Sequence, residues 1–310
     1  MPARPTARRP FLGALGAVAV VGLTAAGCGS NTLSGDATSS STTTTKASSA
    51  ATADPALKAM LPESVQSSGT LRVGTNAEYA PNEFLDGTTV KGMDIDLMNA
   101  VGAKLGVKVE YSNASFDSLL TGVASNRYDA AISSFTITSA RLEQVNMVQY
   151  YNAGTQWVVA KGNPKKIDPD NACGQIVSVQ TGTTQSDDDL PVRQKACTDA
   201  GEPEIQVLSF DSQEDATAAV VQGRAAGMLA DSPIAAYAVK QTGDKLELSG
   251  KVYDSAPYGI VLPKAETDAA NAVSKALEEI AKDGSYEAAL APWGGESGAV
   301  TEFPVNPAAS

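Results

Sequence analysis

The residues best suited to ligand chemistry lie between 130 and 141, where hydroxyl side chains follow a short apolar stretch. Residues 130–132 are small and apolar, which is typical of a buried strand packed between helices. Ser133, Ser134 and Thr136 follow at the predicted carboxyl end of that strand. Because ligands bind at this end of the strands in open α/β sheets, the stretch predicts a ligand site.

Arg141 falls in the first turn of the helix predicted next, with Thr138 or Ser139 as its N-cap. A cation at that position opposes the helix macrodipole, which costs about 0.3–1 kcal/mol. A residue that breaks a local rule beside a polar strand end is often functional. We predict that Arg141 binds a carboxylate; the alternative is an ion pair with Glu143 or another surface acid.

Two later stretches offer complementary groups. Residues 181–184 form a glycine-containing turn between a predicted strand and a helix, and helix-start N–H groups bind anions; the alternative is an ordinary capped helix. Asp231 ends an apolar strand and suits an ammonium group, unless it only caps the helix beginning at Ser232. Arg141 and the turn would bind a carboxylate, and Asp231 would bind an ammonium group. This combination predicts a receptor for a zwitterion.

The residue types argue against catalysis and metal binding. The chain contains no histidine, which excludes Ser-His and Cys-His pairs, and no Cys-x-x-Cys motif that would suit zinc. Paired carboxylates could still do acid–base work, but Asp94 and Asp96 are interpreted as first-turn helix acids, and residues 187–189 as a solvated helix start rather than a metal cluster. We therefore predict a protein that is not an enzyme and has neither cofactor nor metal.

The N-terminus predicts export. Arginines precede an apolar stretch at 11–26 that is too short for a secure membrane span, and the following segment, ending at Cys28, resembles a lipoprotein cleavage box. The arginine pair also resembles a twin-arginine signal, so the export route stays open. Residues 1–28 are predicted to be a signal peptide, and a lipid on Cys28 would hold the protein at the outer face of the cell membrane.

Charge and cysteine content fit an exported protein. Without the leader, 20 basic and 35 acidic residues give a net charge of −15, which argues against nucleic acid or anionic lipid as a partner. Cys173 and Cys197 then form an even pair, which outside the cytoplasm most simply means a disulfide; the alternatives are two buried thiols or a metal site.

The chain of 310 residues is long enough for one large or two medium domains. Of residues 30–52, 14 are Ser or Thr, which cannot build a core, and we predict a tether over 29–68 with the folded part opening at Gly69. Strands and amphipathic helices then alternate in two cycles, which predicts α/β structure with parallel sheets. The Gly-, Ser- and Pro-rich residues after Gly294 predict a loose tail.

Seven stretches carry a resemblance to a known family; in chain order they are LRVGTNAEYAPNEF, GMDIDLMNAVGAKLGVKVEY, FDSLLTGVASNRYDAAISSFTITSAR, VSVQTGTTQ, MLADSPIAAYAVKQTG, APYGIVLPK and KDGSYEAALAPWG. From about Leu71 to Gly294 the chain resembles the family 3 solute-binding proteins of ATP-driven amino-acid importers. The resemblance covers nearly all of the predicted folded part.

The resemblance implies how the amino-acid backbone is bound. Arg141 would bind the α-carboxylate as a bidentate pair, helped by backbone N–H groups of three residues. These are Ser134, Thr136 and Thr184. Asp231 and Ser133 would hold the α-ammonium group.

The resemblance also implies where the ligand side chain lies. Tyr79 and Phe116 would sandwich it, and Asn76, Glu78 and Asn82 would contribute to selectivity. Asn76 stands where relatives often have Asp, and Asn82 where they usually have Phe. A polar neutral side chain, with an amide as the first choice, then fits best; an inward-pointing Glu78 would restore a preference for a cation.

The implied fold is α/β and two-lobed, a type II periplasmic-binding-protein fold in which each lobe is a mainly parallel sheet flanked by helices. Lobe 1 would comprise residues 69–155 and 258–310, and lobe 2 residues 156–257. Two hinge strands near 156–160 and 253–257 would join them, and ligand would bind in the cleft between the lobes.

The implied function is the substrate-binding component of an ABC importer. The protein, a monomer, would deliver a small-molecule amino acid to the permease subunits that work with a cytoplasmic ATPase, and it would touch the membrane only through its lipid. Three alternatives stay open: a receptor for an opine, polyamine or ectoine-like amine, a sensor domain, and a periplasmic-type dehydratase with Glu78 as its acid.

Overall fold

The computed structural model of the protein describes residues 52–309. The predicted signal peptide with Cys28, and residues 29–51 of the predicted tether, lie outside the described residues.

Helices and strands alternate along most of the described chain. The helices are α1 (Pro55–Lys58), α2 (Glu63–Ser68), α3 (Met93–Leu105), α4 (Phe116–Ala124), α5 (Ser139–Gln144), α6 (Leu190–Asp199), α7 (Gln213–Val221), α8 (Ser232–Thr242), α9 (Thr267–Asp283) and α10 (Ser285–Leu290). The strands are β1 (Thr70–Thr75), β2 (Glu78–Tyr79), β3 (Glu83–Asp86), β4 (Thr89–Lys91), β5 (Lys108–Asn113), β6 (Ala130–Ala131), β7 (Val145–Ala160), β8 (Ile176–Gln180), β9 (Gln206–Phe210), β10 (Gly227–Asp231) and β11 (Leu246–Pro263). The predicted α/β class is confirmed.

Eight strands form one mixed sheet in the order β5-β1-β6-β11-β7-β10-β8-β9. The pairs β1–β5 and β1–β6 on one flank are parallel, as are β10–β8 and β8–β9 on the other. At the centre, β11 and β7 are antiparallel to each other, β11 to β6, and β7 to β10. Ala130 and Ala131 of β6 are fully buried, because this strand lies between β1 and β11 with side chains packed on both faces.

The hydrophobic core is divided along the two longest strands. In β7, Val148 packs with the clusters around β1, β5 and α3, whereas Trp157 packs with those around β8 and β10. In β11, Ile260 belongs to the first group and Leu246 to the second. The same two strands therefore run through both groups of clusters.

The segments predicted to be hinge strands, 156–160 and 253–257, lie within β7 and β11. Tyr253 pairs with Thr155 there, and the register of β11 against β7 shifts on both sides of Tyr253. Irregular pairing of this kind weakens the ladder locally and increases twist.

The folded part begins before Gly69, so the predicted tether extends too far. Leu57, Leu61 and Val65 are buried against the core around α3 and α9. They recur at every fourth residue, in α1, in the turn after it and in α2, a periodicity that the Ser/Thr-rich segment before them does not share.

Two further predictions about local structure are wrong. The loop predicted at 76–84 contains β2 and part of β3, which form a three-stranded antiparallel sheet with β4. The tail after Gly294 is held by the core, because Phe303 is buried against Tyr286 and Val305 bridges to Val148.

The predicted disulfide is present. Cys173, before β8, is bonded to Cys197 in α6, with a Cα–Cα distance of 5.5 Å. Among residues 52–309 no helix is long and apolar enough to cross a bilayer.

Candidate functional site

Arg141 is held at the start of a short helix beside the end of β6. The Thr138 hydroxyl accepts a hydrogen bond from the Arg141 backbone N–H and caps α5, so of the two predicted caps Thr138 is the one used. Val145 already belongs to β7, so α5 ends at Gln144. The Arg141 guanidinium lies 5.7 Å from the ring centroids of both Phe116 and Phe135.

The guanidinium of Arg141 bridges the two flanks of the sheet. Its Nη1 donates to the Thr136 carbonyl oxygen at 2.8 Å, and its Nη2 donates to the Gly182 carbonyl oxygen, beyond β8, at 3.0 Å. A guanidinium has five N–H donors, so three remain after these two bonds. That is enough for a bidentate contact with a carboxylate.

Arg141 is a buried cation. Only 8% of the residue is exposed, and no carboxylate of residues 52–309 lies within 4.0 Å of it. Burial lowers the pKa of Arg141, an effect opposed by the negative charges of Asp231, Asp188 and Asp187. The alternative of an ion pair with Glu143 is wrong. The uncompensated charge favours an anionic ligand.

Asp231 ends β10 and stands at the N-cap position of α8, but its side chain makes no cap bond. The hydroxyls of Tyr79 and Tyr258 donate to its Oδ2 at 2.9 and 2.7 Å, and Gln185 Nε2 donates to its Oδ1 at 2.8 Å. The alternative of a simple capping role is therefore wrong. These donors orient both carboxylate oxygens toward the interior between the sheet flanks.

The electrostatics of Asp231 reflect competing effects. Burial raises the pKa of this carboxyl group, whereas hydrogen bonds from Tyr258, Gln185 and Tyr79, and the charge of Arg141, lower it. The net direction is upward. A cationic group next to Asp231 would lower the pKa of this carboxyl group and so favour its ionised form.

The turn at 181–184 brings the second flank against the first. Gly182 adopts φ 79°, a left-handed conformation that favours glycine, and a Cβ there would lie 3.0 Å from Asp117 Cβ in α4. A π-helical turn, Gln185–Asp189, follows and leads into α6, where a regular helix start was predicted. Glycine thus permits both the turn and the close approach.

These groups meet at one cavity of about 10 Å³. Eight of the eleven predicted ligand residues line it: Tyr79, Phe116, Ser133, Ser134, Thr136, Arg141, Thr184 and Asp231. The volume suffices for roughly one water molecule. The two flanks of the sheet are therefore closed tightly around Arg141 and Asp231.

Three predicted residues do not line this cavity. Asn76 is buried nearby, where its Nδ2 donates to the Ala114 carbonyl oxygen at 3.0 Å. Asn82 lies behind Ser134, to whose Oγ it donates at 2.8 Å. Glu78 lines a separate cavity of about 320 Å³ against α7 and α8, so it does not point inward as a cationic preference would require.

The serines at the end of β6 are held from behind. The Ser134 N–H, predicted to face the ligand, donates instead to Asp94 Oδ2 at 3.0 Å. The Ser133 hydroxyl donates to Glu83 Oε1 at 3.0 Å and accepts from the Asn76 N–H. Ser134 has φ 54°, an uncommon conformation for a residue with a side chain. That conformation turns its N–H toward Asp94.

Three further residues line the cavity: Gln180, Thr183 and Gln185. Gln180 Nε2 donates to Asn76 Oδ1 at 2.9 Å across the two flanks, while its Oε1 is buried without a partner. A polar side chain at the end of the buried strand β8 was the available signal for Gln180. Gln185 follows the turn directly, but nothing local indicates that it contacts Asp231.

Within residues 52–309 no group of three or more His, Cys, Asp or Glu side chains is arranged to hold a metal ion. The acids predicted to be a solvated helix start lie in the π-helical turn, where Asp187 and Asp188 are exposed. Asp189 is paired with Arg193 instead.

Comparisons with known proteins find relatives that bind amino acids. The arginine-binding protein ArgT of Corynebacterium glutamicum is 32% identical over 81% of this chain and 83% of its own. The putative ABC transporter arginine-binding protein 2 of Escherichia coli is 30% identical over 72% of this chain and 90% of its own.

An ancestral arginine-binding protein, solved bound to arginine and also to glutamine, gives a TM-score of 0.66 in both structures at 35% identity, over 73% of this chain and 98% of its own. These relatives confirm the predicted type II periplasmic-binding-protein fold. The model of one family, bacterial extracellular solute-binding proteins, family 3, matches residues 71–296. The chain belongs to that family.

Proposed function

We propose that this protein is the substrate-binding component of an ABC importer and captures an amino acid between two lobes. Within the described chain, lobe 1 comprises residues 52–155 and 258–309, and lobe 2 comprises residues 156–257. The observation that carries the proposal is the pair Arg141 and Asp231, a buried cation and a buried carboxylate that line one cavity.

Arg141 binds the α-carboxylate of the ligand. Its three remaining N–H groups lie in a water-poor setting beside Phe116 and Phe135, where a charge-assisted pair is strong. Thr184 and Thr136 line the same cavity and add polar contacts. The N–H of Ser134 is not part of this set, because Asp94 uses it.

Asp231 binds the α-ammonium group. Each carboxylate oxygen accepts more than one hydrogen bond, so an ammonium can add to the donors already present. Tyr79 and Tyr258 fix the orientation of the carboxylate from the first lobe, and Gln185 fixes it from the second. The carboxylate of Asp231 therefore serves both ligand binding and lobe closure.

Ligand entry requires the lobes to separate. A cavity of about 10 Å³ is too small for an amino acid. Hydrogen bonds that join the lobes around it include those of Arg141 with Gly182, of Gln180 with Asn76, and of Asp231 with Tyr79 and Tyr258. Opening breaks these contacts and bends β7 and β11 near Tyr253, where their pairing is irregular. Ligand shifts the population toward the closed form.

The ligand side chain carries an N–H donor. Gln180 Oε1 is a buried acceptor without a partner at the cavity wall, and Asn76 beside it is neutral. An amide or a guanidinium group satisfies this acceptor. The relative solved with both arginine and glutamine supports this class of side chain.

The closed amino-acid-bound form docks on the permease subunits, which work with a cytoplasmic ATPase. Lipid on Cys28 keeps the monomeric protein at the outer face of the membrane. The protein is not an enzyme, because Glu78, the acid that the dehydratase alternative requires beside the substrate, lies in another cavity. A substrate-consumption assay with the bound ligand tests this last point, and loss of the ligand would contradict it.

A thermal-shift panel of the twenty amino acids and related amines tests the proposed function. Ligand at 100 times its Kd stabilises by about 2.7 kcal/mol, which raises the Tm by roughly 5–10 °C for a domain of this size. We expect glutamine or arginine to raise it. If no α-amino acid raises the Tm while a polyamine or an ectoine-like compound does, the proposal is wrong.

A further inference from the structure

A pair of acidic side chains lies directly behind the cavity and takes no part in ligand contact. Glu83 of β3 and Asp94 of α3 are both 0% exposed. Asp94 was predicted to be an ordinary first-turn helix acid, yet only its neighbour Asp96 is exposed and fits that description. Two buried carboxylates side by side cannot both be ionised without a large penalty.

Each acid uses one oxygen to hold the end of β6. Glu83 Oε1 accepts from the Ser133 hydroxyl at 3.0 Å. Asp94 Oδ2 accepts from the Ser134 N–H at 3.0 Å and from the Tyr150 hydroxyl at 2.7 Å. Both serines line the ligand cavity, so these bonds connect the acids to the site.

The other two oxygens, Glu83 Oε2 and Asp94 Oδ1, are buried, and no neighbouring N–H or O–H group donates to them. A side-chain hydrogen bond between the two carboxyl groups contributes to raising the pKa of Glu83 and acts to lower the pKa of Asp94. One proton between them satisfies both oxygens at once and leaves a single negative charge.

We propose that Glu83 and Asp94 share one proton as a buried monoanion and that this pair positions Ser133 and Ser134 for ligand. The positioning role rests on the proposed function; the shared proton does not. The pair holds Ser134 at φ 54°, a conformation that needs support from its surroundings.

The electrostatic surroundings agree with one retained proton. Burial and the charge of Asp94 raise the pKa of Glu83, and Asp231 raises it further. The other titratable groups that face the pair are Tyr79, Tyr111, Tyr150 and Tyr151, whose pKa values burial raises, so they stay neutral. The native state therefore holds a proton that the unfolded chain releases above about pH 4.3.

The shared proton is tested without ligand. We expect an infrared band of a protonated carboxyl group at pH 8 in the full-length protein, lost in Glu83→Gln and in Asp94→Asn and kept in the matched control Asp96→Asn. As pH rises, the retained proton should lower the folding equilibrium constant of the wild type about tenfold per pH unit relative to that of Glu83→Gln, which has no such proton. A wild-type spectrum without this band would overturn the shared proton.

The positioning role is tested with three variants at position 83. Gln can donate to Asp94 and accept from Ser133, so Glu83→Gln should bind the amino acid found by the thermal panel within about threefold of the wild type. Leucine and alanine make neither hydrogen bond, so Glu83→Leu and Glu83→Ala should bind the same amino acid at least about tenfold more weakly.

A readout independent of ligand keeps the two proposals separable. The amide NMR resonance of Ser134 should shift in Glu83→Leu and return toward its wild-type position in Glu83→Gln. An unshifted resonance in Glu83→Leu, or an equal loss of affinity in Glu83→Gln and Glu83→Leu, would overturn the positioning role. A wild-type protein that binds no amino acid would contradict the proposed function alone.

Discussion

Replacing Arg141 by alanine should remove amino-acid binding while leaving the fold intact. The guanidinium offers three N–H groups beyond its bonds to Thr136 and Gly182, and a ligand carboxylate would take two of them. Truncating one partner of a buried, hydrogen-bonded charge pair costs about 2–5 kcal/mol. With about 1.4 kcal/mol for each factor of ten, we expect affinity to fall by roughly 30- to 4,000-fold.

The stability of the ligand-free protein should respond differently. Arg141→Ala leaves two carbonyl oxygens without their donor, which costs about 1–3 kcal/mol for each one that stays buried and unpaired. It also removes a buried cation with no carboxylate within 4.0 Å among the described residues, which offsets that cost. We expect the unfolding free energy to change much less than the binding free energy.

Isothermal titration calorimetry with the ligand from the thermal panel, together with urea unfolding, measures both quantities. Arg141→Lys keeps the charge but loses the planar fork, so its affinity should lie between those of the wild type and Arg141→Ala. Arg127→Ala is the matched control, because Arg127 is exposed and stacks only on Tyr128. An Arg141→Ala protein that folds and binds within threefold of the wild type would refute the assigned role.

Three further perturbations have defined outcomes. Tyr258→Phe removes a hydrogen-bond donor to Asp231, so the pKa of that carboxyl group rises further. Because an ammonium ligand needs the ionised carboxylate, affinity should fall with decreasing pH, with a midpoint about 1–2 pH units higher than in the wild type. Calorimetry across pH that finds the same midpoint in both proteins would contradict this. In the ligand-free protein the sign is opposite, since a raised carboxyl pKa stabilises the fold at low pH and that stabilisation is lost as pH rises through the native value. The double variant Cys173→Ser and Cys197→Ser should lose about 3 kcal/mol of unfolding free energy, because the disulfide closes a loop with a sequence separation of 24. An unchanged midpoint of urea unfolding would argue against this. Phe303→Ala should cost about 3–5 kcal/mol whereas Glu302→Ala, at an exposed neighbour, should change little; equal effects would mean that the tail is not part of the core.

Local chemistry explains what could be predicted from sequence. The small residues of β6, the hydroxyls that follow and an arginine in the next helix turn mark a polar strand end without any knowledge of distant contacts. The same holds for the glycine turn after β8 and for Asp231 after β10. Each of these features lies within about ten residues of chain. Each also contributes residues to the same cavity, which are Ser133, Ser134, Thr136 and Arg141 from the first, Thr183 and Thr184 from the second, and Asp231.

Long-range pairing explains what could not be predicted. Tyr79 and Asp231 are separated by 152 residues, and Tyr258 reaches the same carboxylate from another strand. A buried acid and a solvated one look alike in sequence, so Asp94 was not distinguished from Asp96. The C-terminal segment has a loop-like composition, yet Phe303 is buried in the core, and Val300 and Val305 pack against it.

The central claim is that the cleft recognises the α-carboxylate and α-ammonium groups of an amino acid through Arg141 and Asp231. Calorimetric titration with arginine and with glutamine, each beside the amine that lacks only the α-carboxylate, tests it most directly. We expect the decarboxylated compound to bind at least about 100-fold more weakly than its parent amino acid, since the buried guanidinium then loses its partner. Equal or tighter binding of the amine would contradict the claim and identify the protein as a receptor for amines.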